Sequence, residues 1–233
     1  MAFLYSKRER GNFDPKDIKK PFRVSRSKVD LFFECPRCFY LDQRLGIKRP
    51  DTPPFSLNNA VDLLLKKEFD IHRADKTPHP LMKSYKLNAI PFEHPDLNLW
   101  RDALRSGIEY LHPPTNLSIR GGVDDVWVND KGELLVVDYK ATSKTTEINL
   151  DAEWQDGYKR QIEVYQWLFR RNGFKVSDTG YFVYVNGRQD KKTFDGKLEF
   201  DVILLPYKGN TDWIEPLLMK LKECLVSDNL PPP

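Results

Sequence analysis

Hydrophobic and polar positions follow a strand-like pattern between residues 121 and 140, where the sequence reads GGVDDVWVNDKGELLVVDYK. Val123, Val126 and Val128 precede the turn-forming run 129–132, and the apolar run 134–137 follows it. Two short runs rich in β-branched residues, separated by Asn, Asp and Gly, are typical of a β-hairpin. The pattern therefore predicts two antiparallel strands joined by a tight turn.

Amphipathic helices are predicted wherever apolar residues recur every three or four positions. Val61, Leu65 and Phe69 recur in this way over residues 57–72. Similar spacing predicts further helices over residues 96–110, 152–171 and 211–226. A shorter helix is expected from Ser25 or Ser27 to Glu34, with Pro36 interrupting it.

The remaining segments complete a mixed α/β pattern. Two more strands are predicted over residues 179–185 and 197–204, and residues 73–95, with four prolines, are predicted to form a long loop. Residues 1–24 carry no clear period and are predicted to be a basic, weakly structured arm. The order of elements predicts one domain over residues 25–233, with a central mixed sheet flanked by helices.

Charge and cysteine content add little to this picture. Lys and Arg number 37 against 34 Asp and Glu, so the net charge identifies no partner. The basic run 7–28 fits either a phosphate-facing arm or a solvated terminus. Without a signal peptide or a membrane-length apolar stretch, and with three cysteines, the sequence predicts a cytoplasmic protein with no membrane partner.

Charged side chains are concentrated where the two predicted strands of the hairpin adjoin. Asp138 and Lys140 lie two positions apart on a strand and therefore share a face, while Tyr139 points the other way. Antiparallel pairing would bring Asp124 beside them, and the positions of the flanking valines favour Asp124 over Asp125. Two carboxylates and the main-chain carbonyl of Tyr139 would suit Mg²⁺. The alternative is an ordinary surface salt bridge at a strand end.

The helix predicted after the hairpin carries a second polar group. Gln161 and Tyr165 are four positions apart and share a helix face, with Tyr158 near the same stripe and Lys159 and Arg160 beside them. Such a face could bind a phosphate and support the strand lysine. Gln and Tyr on a half-buried helix also pack without any chemical role.

In this order the motifs resemble the PD-(D/E)XK nuclease superfamily, in its RecB-like branch of helicase-nuclease domains and CRISPR-associated exonucleases. Residues 121–124 resemble its G-x-[VI]-D element, residues 138–140 its D/E-x-K element, and residues 161–165 its Q-x-x-x-Y element. The resemblance implies a restriction-endonuclease-like fold and a metal-dependent nuclease that hydrolyses DNA at single-stranded or end-containing substrates. The implied partners are DNA and a helicase or a recombination or CRISPR-adaptation protein. The alternative is a catalytically inactive nucleic-acid-binding module of the same fold.

The resemblance also implies roles for particular residues. The implied catalytic residues are Asp124, Asp138, Lys140, Gln161 and Tyr165. Lys140 would hold and help deprotonate an attacking water, or offset charge on the phosphate.

An upstream helix of the family usually supplies a metal-binding His, and here Asp62 stands at that position. Glu68 is a second candidate from the same helix. With Asp124, Asp138 and the Tyr139 carbonyl, these residues form the implied ligand set for Mg²⁺ or Mn²⁺. The implied nucleic-acid-binding residues are Lys144, Tyr158, Lys159 and Arg160.

Cys35 and Cys38 form a C-x-x-C pair, but no second pair has the spacing of a zinc site. The RecB-like branch often carries an iron–sulfur cluster, held by one cysteine near the N-terminus and three beyond the last helix. The sequence reaches Pro233 without those distal cysteines. We therefore expect two thiols and no cluster, unless the given chain is shortened.

Overall fold

A computed structural model describes residues 7–50 and 56–232 of the chain. Its helices are α1 (Arg26–Glu34), α2 (Pro36–Gln43), α3 (Ser56–Ala74), α4 (Pro80–Ser84), α5 (Leu97–Arg101), α6 (Asp156–Arg171) and α7 (Ile214–Val226). Its strands are β1 (Phe22–Ser25), β2 (Ala89–Pro91), β3 (Ile108–His112), β4 (Leu117–Gly121), β5 (Asp125–Asn129), β6 (Leu134–Thr142), β7 (Thr179–Gly187) and β8 (Phe200–Lys208). A 3₁₀ turn, Glu153–Gln155, precedes α6. No helix in this described part of the chain is long and apolar enough to cross a membrane.

The chain divides into two compact units. The first comprises Met1–Pro53, Glu109–Gly121 and Thr211–Pro233, and the second comprises Pro54–Ile108 and Gly122–Asn210. The mixed α/β fold with a central sheet flanked by helices, predicted from the sequence, is confirmed.

The second unit is built on a curled five-stranded sheet in the order β2-β5-β6-β7-β8. β5 and β6 pair antiparallel as the predicted hairpin, whereas β6 and β7 run parallel with α6 between them in the chain. Antiparallel pairing of β7 with β8 extends from Thr179–Lys208 to Gly187–Phe200. This pairing moves the last strand a few residues beyond the predicted 197–204.

Helix α3 packs on one face of this sheet through apolar side chains. Leu65 and Phe69 are buried with Trp127, Val137 and other strand residues in one hydrophobic cluster. The rings of Phe69 and Trp127 stack with centroids 5.1 Å apart. Leu135, Val137 and Tyr139 of β6 belong to this cluster. Because strand side chains alternate, the residues next to them on β6 point to the opposite face of the sheet.

The first unit contains a three-stranded sheet in the order β1-β4-β3, with α1, α2 and α7. The sequence predicted a weakly structured arm over residues 1–24, of which residues 1–6 lie outside the described part of the chain; residues 7–24 contain the buried Phe13 and most of β1. The rings of Phe13 and Phe22 meet edge to face at 5.3 Å. Tertiary packing therefore orders a segment that has no local period of its own.

Two predicted elements in the second unit are wrong. The helix predicted over 96–110 ends at Arg101, because the Asp102 carboxylate accepts the backbone N–H groups of Leu104 and Arg105. Gly107 then takes a φ of 80° that few other residues adopt, and β3 follows. The loop predicted over 73–95 contains the short elements α4 and β2.

Candidate active site

Asp124 and Asp138 are brought together by the register of the hairpin. Asp125 pairs with Val137, so Asp124 lies opposite Asp138 at the next position. The backbone N–H of Tyr139 donates to Asp124 Oδ2 at 2.9 Å, which fixes the Asp124 carboxylate beside the D-x-K strand. This is the arrangement expected from the alternation of side chains.

Lys140 lies on the same face of β6 as Asp138, and its ammonium group pairs with the Asp138 carboxylate. Burial lowers the pKa of Lys140, but the charges of Asp138 and Asp124 outweigh burial and raise the pKa above its ordinary value of 10.5. Lys140 Nζ also lies 4.3 Å from the ring centroid of Tyr158. Lys140 is therefore a cation at neutral pH.

Helix α3 supplies a third carboxylate and a second ammonium group. Lys66 Nζ lies 2.7 Å from Asp62 Oδ2 and 3.7 Å from Asp124 Oδ1. Burial, together with the charge of Asp124, raises the pKa of Asp62 despite the hydrogen bond from Lys66. Lys66 was not predicted from the sequence, although its position four residues after Asp62 on a helix was a usable signal.

These five residues, Asp62, Lys66, Asp124, Asp138 and Lys140, are called the acid-rich cluster below. It holds three carboxylates against two ammonium groups, so its formal charge is −1. No group of three or more His, Cys, Asp or Glu side chains within residues 7–50 and 56–232 is arranged to hold a metal ion. The donor set nevertheless suits a hard cation, because its three carboxylates supply the oxygen ligands that Mg²⁺ prefers.

The family model of the PD-(D/E)XK nuclease superfamily matches residues 23–223 of the chain. This chain belongs to the PD-(D/E)XK nuclease superfamily. Among solved structures, one that is similar is titled "Crystal structure of SSO0001", with 17% identity and a TM-score of 0.46, covering 91% of this chain and 78% of that one. No curated protein matches the sequence.

Asp125, the neighbour of Asp124 in this PD-(D/E)XK chain, points to the other face of the hairpin. It is fully buried and pairs with Arg73 and with Arg101, whose Nη2 lies 2.9 Å from Asp125 Oδ1. Arg101 Nη1 also binds both carboxylate oxygens of Asp70, at 3.0 and 2.9 Å. We call Asp70, Arg73, Arg101 and Asp125 the arginine cluster.

The arginine cluster forms hydrogen bonds with the backbone of Asp124 and with the side chain of Tyr139, the residue between Asp138 and Lys140. Arg101 Nε donates to the Asp124 carbonyl at 3.2 Å, and the Tyr139 hydroxyl donates to Asp125 Oδ2 at 2.8 Å. Backbone at Asp124 and the side chain of Tyr139 are therefore both anchored to buried charges. Sequence reasoning missed Arg73 and Arg101 because each is more than twenty positions from Asp125 in the chain.

Gln161 and Tyr165 of the Q-x-x-x-Y element make different contacts. Gln161 Oε1 lies 3.5 Å from Lys140 Nζ, next to the acid-rich cluster. The Tyr165 side chain is buried, and its hydroxyl donates to the Gly122 carbonyl at 2.6 Å. Tyr165 thus holds the segment that leads into Asp124.

Glu68 is not brought to the acid-rich cluster. Its carboxylate hydrogen-bonds His79 Nε2 at 2.9 Å, and its side chain is 57% exposed. Six positions along a helix turn a side chain well away from Asp62, which explains the separation. The geometry favours Asp62 over Glu68 as the carboxylate that α3 contributes.

The predicted nucleic-acid-binding residues lie along the start of α6 and after β6. Lys159 Nζ pairs with Asp156 at 2.8 Å, and this contact lowers the pKa of Asp156, with Arg160 adding to the effect. Lys144 Nζ lies 5.0 Å from the ring centroid of Trp154. Trp154 was not predicted from the sequence.

The cysteine pair lies in the first unit, at the start of α2. Cys35 Sγ accepts the backbone N–H of Cys38 at 3.2 Å, and hydrogen bonds from the Cys38 side chain and backbone lower the pKa of Cys35. Burial raises the pKa of the third thiol, Cys224, to about 11. All three are free thiols.

Proposed function

We propose that this PD-(D/E)XK protein is a Mg²⁺- or Mn²⁺-dependent deoxyribonuclease of the RecB-like branch, acting on DNA that carries a single strand or an end. The observation that carries the proposal is the convergence of Asp124, Asp138 and Lys140, held within a cluster that retains a formal charge of −1. Members of the superfamily typically use divalent metals such as Mg²⁺.

Asp124, Asp138 and the Tyr139 carbonyl, with Asp62 from α3, would hold the metal. When bound, the metal supplies Lewis-acid stabilisation of the phosphate and of the attacking oxygen. The chain's own residues orient these ligands. The backbone N–H of Tyr139 donates to the Asp124 carboxylate, and Arg101 donates to the Asp124 main-chain carbonyl. Preorganised charge of this kind requires no rearrangement during the reaction.

Lys140 acts as a fixed positive charge in this proposal. Its ammonium group, which pairs with the Asp138 carboxylate, would donate to a non-bridging phosphate oxygen and offset charge that develops there. Gln161 and the Tyr158 ring would orient the ammonium group. Lys144, Lys159 and Arg160 would bind backbone phosphates, and Tyr158 would contact the strand.

The test is cleavage of labelled single-stranded, overhanging and blunt DNA with Mg²⁺, Mn²⁺ or EDTA. We expect cleavage with either metal, none with EDTA, and a loss of about 10³-fold in Asp138→Asn and Lys140→Ala. Lys175→Ala, at an exposed lysine that pairs with Glu133, is the matched control and should cut like wild type. Equal rates for all four proteins would overturn the proposal.

A second candidate is a non-catalytic nucleic-acid-binding module of the same fold. Lys66 favours it, because its ammonium group already bridges Asp62 and Asp124. This candidate predicts DNA binding that is unchanged by metal and no cleavage by wild type or by Lys66→Ala. A helicase or a recombination or CRISPR-adaptation partner stays a prediction from the RecB-like resemblance.

A further inference from the structure

Trp154 is a large aromatic side chain that the proposed chemistry does not use. Its side chain is 58% exposed, on the 3₁₀ turn Glu153–Gln155 immediately before α6. Exposed aromatic residues also occur elsewhere in this unit, at Tyr85 and Phe194. Exposure alone therefore does not identify a binding site. What distinguishes Trp154 is the set of residues that contact it.

Trp154 belongs to a continuous row of rings and cations that begins at Lys140. The Lys140 ammonium group lies 4.3 Å from the Tyr158 ring centroid, and the Tyr158 and Trp154 rings meet edge to face at 5.5 Å. Lys144 Nζ then lies 5.0 Å from the Trp154 centroid. The row connects the D-x-K lysine to an exposed indole and to a second lysine.

The turn that presents Trp154 is fixed by its neighbour Gln155, which is fully buried. Gln155 Oε1 accepts the backbone N–H of Ala152 at 3.0 Å, and Gln155 Nε2 donates to the Asn149 carbonyl at 2.8 Å and to the Tyr184 hydroxyl at 3.2 Å. These hydrogen bonds hold the backbone that precedes the indole and the Gln155 side chain that follows it. A fixed aromatic ring loses little conformational entropy when a planar ligand stacks on it.

Charge around the row limits what the ligand can be. Glu153 lies on the same turn as Trp154 and is exposed, so the indole surface itself does not attract phosphate. Beyond Lys144 a cleft of about 630 Å³ carries Arg188 but also Glu147, Asp190 and Asp201. A planar, weakly charged group would stack on the indole, whereas a phosphate would pair with Lys140 or Lys144, the lysines at the two ends of the row.

We propose that Trp154, supported by Tyr158, is a base-stacking site for one unpaired nucleotide next to the scissile phosphate. Lys144 contacts the backbone phosphate of that nucleotide. The inference rests on the proposed nuclease function and narrows its substrate to nucleic acid that is single-stranded at this position, because a base inside a duplex has both faces covered by its stacked neighbours. Stacking on an aromatic side chain accepts any base, so it selects strandedness and not sequence.

The test measures binding in EDTA, so that it does not depend on cleavage. The probes are a labelled oligothymidylate, an abasic deoxyribose-phosphate oligomer of the same length, and a blunt duplex. For Trp154→Ala we expect about tenfold weaker binding of oligothymidylate, with unchanged binding of the abasic oligomer and of the duplex. Trp154→Phe should retain most of the affinity, and Tyr85→Ala, at another exposed aromatic, should bind like wild type.

Salt separates stacking from phosphate contact. The factor lost in Trp154→Ala should be the same at low and high salt, because stacking releases no counterions. Lys144→Gln should instead reduce the slope of log affinity against log salt by about 0.7, the value for one phosphate contact on a single strand.

The inference is overturned if Trp154→Ala binds oligothymidylate like wild type, or if it loses affinity equally for the abasic oligomer. Its failure is distinct from failure of the nuclease proposal. If Asp138→Asn cleaves as fast as wild type while Trp154→Ala loses only the base-dependent binding, the chemistry is wrong and the stacking site stands. If Asp138→Asn is inactive and Trp154→Ala binds normally, the nuclease chemistry stands and the stacking site is wrong.

Discussion

Asp124 and Asp125 are adjacent in the chain, yet they belong to clusters of opposite design. Asp125 lies in the arginine cluster, where two carboxylates face two guanidinium groups and the charges balance. Asp124 lies in the acid-rich cluster, where three carboxylates face two ammonium groups. Arginine binds carboxylates through a rigid planar fork, whereas a lysine ammonium group is a point charge on a flexible stem. The balanced cluster is suited to holding structure and the unbalanced one to binding a cation.

The largest expected effect comes from replacing each of the two acids, Asp125 and Asp124, by asparagine in turn. Asp125→Asn should lower the free energy of unfolding by about 3–5 kcal/mol, because Arg73 and Arg101 would keep buried positive charge without its main partner. Asp124→Asn should change it by less than about 1 kcal/mol and remove cleavage, because Asp124 is partly exposed and the cluster loses excess negative charge. Urea unfolding and DNA cleavage of both variants provide the measurement. Similar unfolding free energies for the two variants would contradict the comparison.

Gly122→Ala tests the backbone segment that leads into Asp124. A Cβ added at Gly122 would lie 2.4 Å from Ala103 Cβ, so the segment leading to Asp124 would have to shift. We expect about 1–3 kcal/mol of destabilisation, as for overpacking elsewhere, together with reduced cleavage. The matched control is Gly187→Ala, whose new Cβ would meet its nearest neighbours at 3.5–3.7 Å and should leave unfolding and cleavage unchanged. Wild-type behaviour of Gly122→Ala would show that this close approach is not needed.

Tyr165→Phe removes one hydrogen bond and keeps the buried ring. The Gly122 carbonyl would lose its 2.6 Å partner, which should cost about 1 kcal/mol in unfolding free energy. We expect kcat to fall while KM stays near the wild-type value, because the hydroxyl acts on the backbone before Asp124 and not on DNA. Kinetic measurement of both constants checks this, and a rise in KM alone would argue for direct contact with the substrate.

The smallest expected effect is acid destabilisation through Asp70 at the edge of the arginine cluster. Burial would raise the pKa of Asp70, but hydrogen bonds from Arg101 and Arg73 outweigh burial and lower it below the ordinary value of 3.8. A lowered folded-state pKa gives stability that is full above pH 3.8 and is lost as the pH falls through the folded-state value. The difference in unfolding free energy between wild type and Asp70→Asn should therefore shrink below pH 3.8. The side chain is 45% exposed, so solvent screening keeps the effect small.

Local patterns in the sequence determined much of the candidate site. The alternation of residues on the hairpin correctly predicted that Asp138 and Lys140 share a face and that Asp124 lies beside them. The D-x-K motif and its position before a helix with Q-x-x-x-Y led to a superfamily prediction that is confirmed. These features have short range, because strand and helix periods fix which side chains share a face over a few residues.

Only the tertiary structure decided what surrounds that site. Helical spacing over residues 96–110 could not reveal that Asp102 ends the helix and leaves Arg101 free to reach Asp70 and Asp125. Lys66 and Trp154 likewise gain their meaning from neighbours that approach across the fold, at Asp124 and Lys144. Charge balance and burial depend on every group that packs nearby, whatever its distance along the chain. The sequence by itself therefore determined which groups can do chemistry, and packing decided which of them are neutralised by fixed partners and which retain net charge.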